Sequence, residues 1–344
     1  MKKINRILTL FMSLVMIFTI SGLAKADSTG EVITIGANLN QKQKHDILNY
    51  FGVNQNNPNI IYVNNKQERK YLSGIAPEAQ LGHVTMSSSY VVPTTEGGIN
   101  VKTSNITWVT SSMIASTLAT AGVENANVVA AAPFPVSGTG ALTGIIIAFE
   151  KSSGENLSEE KKQLANKELV TTGNLAEQVG KDKASGIIND AKKEVIKKDI
   201  KDPTQIEKTV KNVANNYNVN LTTGDINIIV NLLQGIGNQN YNYKDMKDTL
   251  DNISANVGYN LKQAGEKVDI NGIFNKAKSF IKNNKEANEF FNQFDDSKLS
   301  SDAVVNTTAS GVESAKKIAG NVGEQVKNSG ILERIKEFLM SLFN

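Results

Sequence analysis

The sequence predicts an α+β protein: an N-terminal mixed α/β domain with a small sheet, followed by a mostly α-helical C-terminal region. Two patterns carry that prediction. Up to about residue 150, short β-branched or alternating runs are interleaved with segments at helical period, the arrangement of helices packed on a sheet. From Leu157 onward nearly every segment reads at a period near 3.6, in a composition rich in Lys, Glu, Asn, Asp and Ile. A third observation limits how the fold is held: the 344 residues include no cysteine, so burial must do the work that disulfides do in many exported chains.

Taken in order, Val32, Ile33 and Ile35 of EVITIGA give a first strand. Ile47, Leu48 and Phe51 are spaced for a helix from Asn40 to Phe51, and Gly52 ends it because glycine takes a left-handed cap without steric cost. NIIYV, Asn59 to Val63, is a short strand. NNKQERKYL begins a helix with Asn64 or Asn65 as N-cap. HVTMSSSYVV and INVKTSNITWV alternate at a period near two, and Gly97-Gly98 between them predicts a hairpin or a close antiparallel pair. In TSSMIASTLATAGV a cap at Thr110, Ser111 or Ser112 opens a helix with Met113, Ile114, Leu118 and Ala121 on its apolar face, stopped by Gly122. NANVVAAAPF is a strand apolar enough to be buried on both faces.

In the helical region Ser158 caps a helix through Val170. Asp202-Pro203 places a capping acid before proline at the first helical position. Ile226, Ile229, Val230 and Leu233 form the stripe of a helix buried on one side. TTGNL from Thr171 and TTGDI from Thr222 resemble each other and read as two helix starts with capping threonines. The expected organisation is a leader at 1–26, the α/β domain at 27–154, the helical region at 155–294, a polar flexible linker at 295–330 and an amphipathic helix at 331–344. Ile331, Ile335, Phe338 and Leu342 line one face of that last helix, which makes it a candidate interaction face for its own domain, a partner groove or a membrane surface.

Lys2, Lys3 and Arg6, the apolar run Ile7 to Leu23, and Ala24-Lys25-Ala26 form a secretory signal peptide; cleavage is favoured over retention as an anchor. Cleavage removes four of 37 basic residues and none of 34 acidic ones, leaving 33 against 34. The whole-chain charge of +3 therefore belongs to the leader. An electrically balanced mature chain is a poor match to the basic face that nucleic acid requires, so nucleic acid is not an expected partner. The expected location is secreted or on the outer face of the envelope.

VVAAAPFPVSGTGALTGI, Val128 to Ile145, is the stretch most like a site. Ser137, Gly138, Thr139 and Gly140 lie between a strand and a helix start, where free backbone N–H groups can hold an anion or ligand. The competing reading, preferred here, makes Ser137 the cap of the following helix and lets the glycines bring two backbones close. The turn lacks the glycines of G-x-S-x-G and the lysine of a phosphate-binding loop. His45 and His83 have no spacing that makes two ligands on one face, and Asp295, Asp296 and Asp302 match no calcium loop, so they read as solvated linker. No metal, no cofactor and no catalytic set are expected. Trp108, the only tryptophan, reads as packing at a strand end.

The block NITWVTSSMIASTLATAGVENANVVAAAPFPVSGTGALTGI, with VITIGANLNQKQKHDILNYFGV and NKQERKYLSG before it, resembles the DUF1002 family of exported proteins from Gram-positive bacteria. The likeness is strong from Val32 to Gly173 and continues more loosely to YNVNLTTGDINIIVNLLQ. It implies an exported or envelope-associated protein and supplies no catalytic residues to carry over. The expected function is a non-catalytic envelope or extracellular protein that binds a protein partner or wall component. Two alternatives stand: a wall- or peptide-directed hydrolase using the Ser137 to Gly140 turn, and peripheral membrane attachment through the terminal helix.

Overall fold

The computed structural model describes residues 30–72, 74–75, 82–266 and 285–308. The leader, residues 309–330 of the expected linker and the helix expected at 331–344 lie outside them. Within the described residues the fold is α+β: a mixed six-stranded sheet, with the long helices of the C-terminal region gathered on one of its faces.

The elements follow in chain order as β1 (Val32–Gly36), α1 (Gln41–Phe51), β2 (Ile60–Val63), α2 (Asn65–Leu72), β3 (Ser88–Pro93), β4 (Ile99–Ile106), α3 (Ser111–Ala121), β5 (Ala126–Val136) and α4 (Thr139–Ser153). The helical region supplies α5 (Glu159–Val179), α6 (Lys181–Lys197), α7 (Pro203–Asn216), α8 (Thr223–Gly237) and α9 (Tyr243–Gln263). After these come α10 (Lys285–Phe291), a 3-10 turn (Asp296–Lys298) and β6 (Val305–Thr307).

Many of the helix ends stand where the sequence puts them, for local reasons. The Asn40 side chain accepts from Gln43 N–H while Gln43 reaches back to Asn40, a closed capping box, and Gly52 ends the helix at φ 67°. Thr110, Ser158, Asp202 and Thr222 each accept from a first-turn N–H, and Pro203 follows Asp202 as expected.

The sheet order is β2-β1-β3-β5-β4-β6. The expected β3–β4 pairing does not form: β5 lies between them, antiparallel to β3 and parallel to β4. Gly97-Gly98 serves a different contact. At Gly98, φ is 71° and a Cβ would lie 2.8 Å from Thr249 Oγ1, so the missing side chain lets α9 approach the sheet edge, where Thr249 Oγ1 accepts from Ile99 N–H at 2.9 Å.

β5 is buried on both faces, as its composition predicts. Val128, Ala130 and Ala132 join the large core beneath α3–α9, while Val129 and Ala131 join a smaller cluster with α1 and residues 287–294. The larger core runs unbroken from the sheet into α5–α9, so the two sequence regions share one interior. Two expectations are corrected. The helix capped by Ser158 continues through Thr171–Leu175 to Val179, so TTGNL is mid-helix and only TTGDI is a helix start. Residues 295–308 are built onto the sheet, since β6 pairs antiparallel to β4 and Thr308 is buried.

Candidate functional site

The Ser137 to Gly140 turn connects β5 to α4, and Ser137 does not cap the helix. Its carbonyl accepts from the N–H groups of Trp108 and Val109, both at 3.1 Å, and its side chain is exposed. Gly138 occupies the N-cap position at φ 91° with no side-chain cap, and a Cβ there would lie 2.2 Å from Ile106 Cγ2. Close packing on β4 therefore selects glycine at the position where a capping side chain would otherwise sit.

A carboxyl group sits at the start of α4, and the chain supplies it. Glu68, on α2, is 2% exposed and accepts from Thr139 Oγ1 at 2.9 Å, Asn65 Nδ2 at 3.3 Å and Thr85 Oγ1 at 3.5 Å. A Cβ on Gly140 would lie 2.8 Å from Glu68 Oε2, so Gly140 makes room for that carboxylate. The Thr139 hydroxyl and the space left at Gly140 thus fix α2 to α4. Burial raises the Glu68 carboxyl above the ordinary range, and hydrogen bonds from Thr139, Asn65 and Thr85 partly offset the rise.

A raised folded-state pKa makes this group's contribution to stability largest below its unfolded pKa, and that contribution is lost as pH rises through the folded value. Glu68→Gln removes this proton equilibrium while keeping an acceptor for Thr139. The stability of the native chain relative to E68Q is expected to fall as pH rises above about 4.5, measured by urea midpoints. A difference that does not vary with pH would contradict the placement of a buried, titrating carboxylate.

Two further polar clusters lie deeper. Lys192 on α6 and Glu168 on α5 form an ion pair at 2.8 Å with both side chains fully buried. Lys192 Nζ also donates to Ser116 O, Ser116 Oγ and Thr120 Oγ1 on α3 at 2.7–2.9 Å, while Ser116 and Thr120 hydroxyls donate to the two Glu168 oxygens at 2.5 Å. Burial lowers the Lys192 ammonium pKa, against the opposing pull of Glu168. Asp190, also on α6, accepts from Tyr217 at 2.6 Å and from Ser254; burial raises its carboxyl. A serine beside a lysine and a carboxylate has the makings of an activated nucleophile. Here every member is at or below 4% exposure, and the set ties α3, α5 and α6 together inside the core.

The remaining expectations fall as follows. Trp108 packs on α5, donating Nε1–H to Glu177 at 3.2 Å. His83 lies 3.4 Å from an Arg69 nitrogen, on the surface. Among the described residues no group of three or more His, Asp or Glu is placed to hold a metal, and no helix is long and apolar enough to cross a membrane. Asp295 and Asp302 bond locally to Ser297 and Ser300. Asp296 instead meets Lys102 and Ser104 on β4 and Tyr50 on α1, a cluster that sequence spacing does not reveal, because its members are separated by up to 246 residues. The face Ile331, Ile335, Phe338 and Leu342 lies outside the described residues.

Comparison with known proteins agrees with the resemblance. The family described as "Protein of unknown function (DUF1002)" matches residues 35–253. "Uncharacterized protein YpuA" of Bacillus subtilis (strain 168) is 39% identical over 231 residues, which is 67% of this chain and 79% of that protein. No solved structure matches.

Proposed function

We propose, for a chain that belongs to the DUF1002 family, a role outside the cytoplasm as a non-catalytic envelope or extracellular protein that acts by binding a protein partner or wall component. Export is supported by the basic, apolar and Ala-Lys-Ala segments of residues 1–26. The observation that carries the non-catalytic reading is the use made of the chemistry-bearing side chains. Glu68, Glu168, Lys192 and Asp190 are buried, and each is satisfied by named partners that join one helix to another. The hydrolase alternative would have to work through Thr139 and Glu68, which are 4% and 2% exposed, whereas the exposed Ser137 offers its carbonyl to the backbone of residues 108 and 109.

Cell fractionation tests the first half of the proposal. The expected result is a chain beginning at Asp27, identified by N-terminal sequencing, in the medium or wall fraction. Recovery of the intact precursor in the cytosol would overturn the export reading. Incubation of the purified mature chain with isolated cell walls tests the second half: retention without release of soluble wall fragments is expected, and sustained fragment release would establish a hydrolase. Liposome sedimentation of the chain with and without residues 331–344 judges the membrane alternative, which requires binding that the truncation removes.

A further inference from the structure

Among the described residues, the second face of the sheet is covered by α1 and by the strap formed by residues 285–308. The strap follows α9 after residues 267–284 and lies beyond the family match, which ends at 253. The surface it covers lies within that match: Tyr50, Phe51, Tyr90, Lys102 and Ser104.

The strap is held at three places in succession: by aromatic side chains of α10 and the residues just after it, by a carboxylate on the 3-10 turn, and by the short strand β6. Phe291 and Phe294 enter the apolar cluster, and the Phe294 ring centroid lies 5.3 Å from that of Tyr90 and 5.8 Å from that of Tyr50. Two residues later Asp296 enters a polar notch: its Oδ1 accepts from Ser104 Oγ at 2.5 Å and Tyr50 OH at 2.9 Å, and its Oδ2 pairs with Lys102 at 2.9 Å. β6 then adds a three-residue strand to the edge of β4, with Thr308 N–H donating to Val101 O and Asn105 N–H to Val304 O, both at 2.9 Å.

Lys102 decides the reading. It is 7% exposed, and its ammonium bonds Asp296 and the Phe294 carbonyl at 2.8 Å, both of them strap groups. A cation at that depth is costly unless a carboxylate or an equivalent acceptor meets it. With the strap lifted, the face presents that cation and two hydroxyls beside an aromatic floor and an open strand edge.

We propose that this face is a peptide-binding groove for a segment carrying closely spaced aromatic side chains followed by a carboxylate and a short strand, and that residues 285–308 are its tethered, displaceable occupant. Because the strap belongs to the same chain, it occupies the face as an intramolecular ligand, and a free ligand must compete with it. The inference rests on the binding reading above and names the partner class. Its test uses purified protein and a defined peptide, so its failure leaves export and wall retention to be judged by fractionation.

The probe is a fluorescein-labelled synthetic peptide of residues 285–308, followed by anisotropy. The full chain carrying Phe294→Ala and Asp296→Ala, whose own strap is weakened, is expected to bind the probe at least about tenfold more tightly than the unmodified chain. Adding Lys102→Met to that variant is expected to reverse the gain. Equal binding by all three, or none by a cooperatively melting strap variant, overturns the proposal. Should the strap variant not fold, hydrogen exchange in the unmodified chain decides. The Asn105 and Thr308 amides are expected to exchange at least tenfold faster than those of Val128–Ala130 on β5; exchange at the same rate as β5 overturns it.

Discussion

Replacing Lys192 with methionine is expected to cost the fold about 3–5 kcal/mol, because it leaves the Glu168 carboxylate fully buried without its cation. The two hydroxyl donors, Ser116 and Thr120, remain on the carboxylate, so the loss belongs at the lower end of that range. The cost should come from an orphaned charge and not from lost packing, since methionine fills nearly the same volume. Pairing the change with Glu168→Gln therefore gives a second expectation: the double variant recovers a large part of the loss, because no uncompensated charge is left inside. Urea denaturation of the two single variants and the double variant measures this. If the double variant is as unstable as the sum of the single ones, the pair contributes by shape alone and the electrostatic account fails.

That ion pair also shows where sequence reading stops. AKKEVIKK on α6 and KKQLANKEL on α5 look like the solvated faces of charged helices, yet Lys192 and Glu168 are fully buried along with Ala191, Val195, Ala165 and Leu169. Period locates the apolar stripe, but it does not say how wide the covered arc is. α3, whose predicted apolar face is Met113, Ile114, Leu118 and Ala121, is buried all round, and its serines and threonines serve as partners for the buried charges. Glu68 in NKQERKYL was hidden for the same reason, as an acid among basic and polar residues.

Helix ends read well because a cap is local chemistry: the deciding groups at Asn40, Thr110, Asp202 and Thr222 lie within three residues of one another. Strand order reads badly because it depends on contacts across tens of residues. The alternation of β3 and β4 is legible, but nothing in their sequences says that β5 inserts between them. The candidate turn combines both cases: a helix start after residues 137–138 is legible locally, and the contact of Thr139 with the Glu68 carboxyl, 71 residues away, is not. Residues 295–308 extend the lesson, since a segment read as linker closes the sheet once Lys102 and Asp296 are brought together.

The second large effect concerns Gly173, in the middle of α5. On propensity alone, Gly173→Ala should stabilise a helix interior by about 1 kcal/mol. The surroundings reverse that sign, because an added Cβ would lie 2.1 Å from Trp108 Cη2 and Cζ2, inside any tolerable contact. The ring has little freedom to retreat: its Nε1–H is held by Glu177 one turn further along the same helix, and the Trp108 N–H is held by Ser137 O. The expected outcome is a net destabilisation of about 1–3 kcal/mol from overpacking, together with a shift in the emission of Trp108, the protein's only tryptophan. Trp108→Ala removes the obstacle at its own cost, and in that background Gly173→Ala should become neutral or stabilising, recovering the helix propensity that the native contact forfeits. Thermal melts of the four chains read the cycle directly. The same Gly173→Ala penalty with and without the indole would mean that glycine is required by the helix itself, and the contact between β4's end and α5 would lose its place in the account.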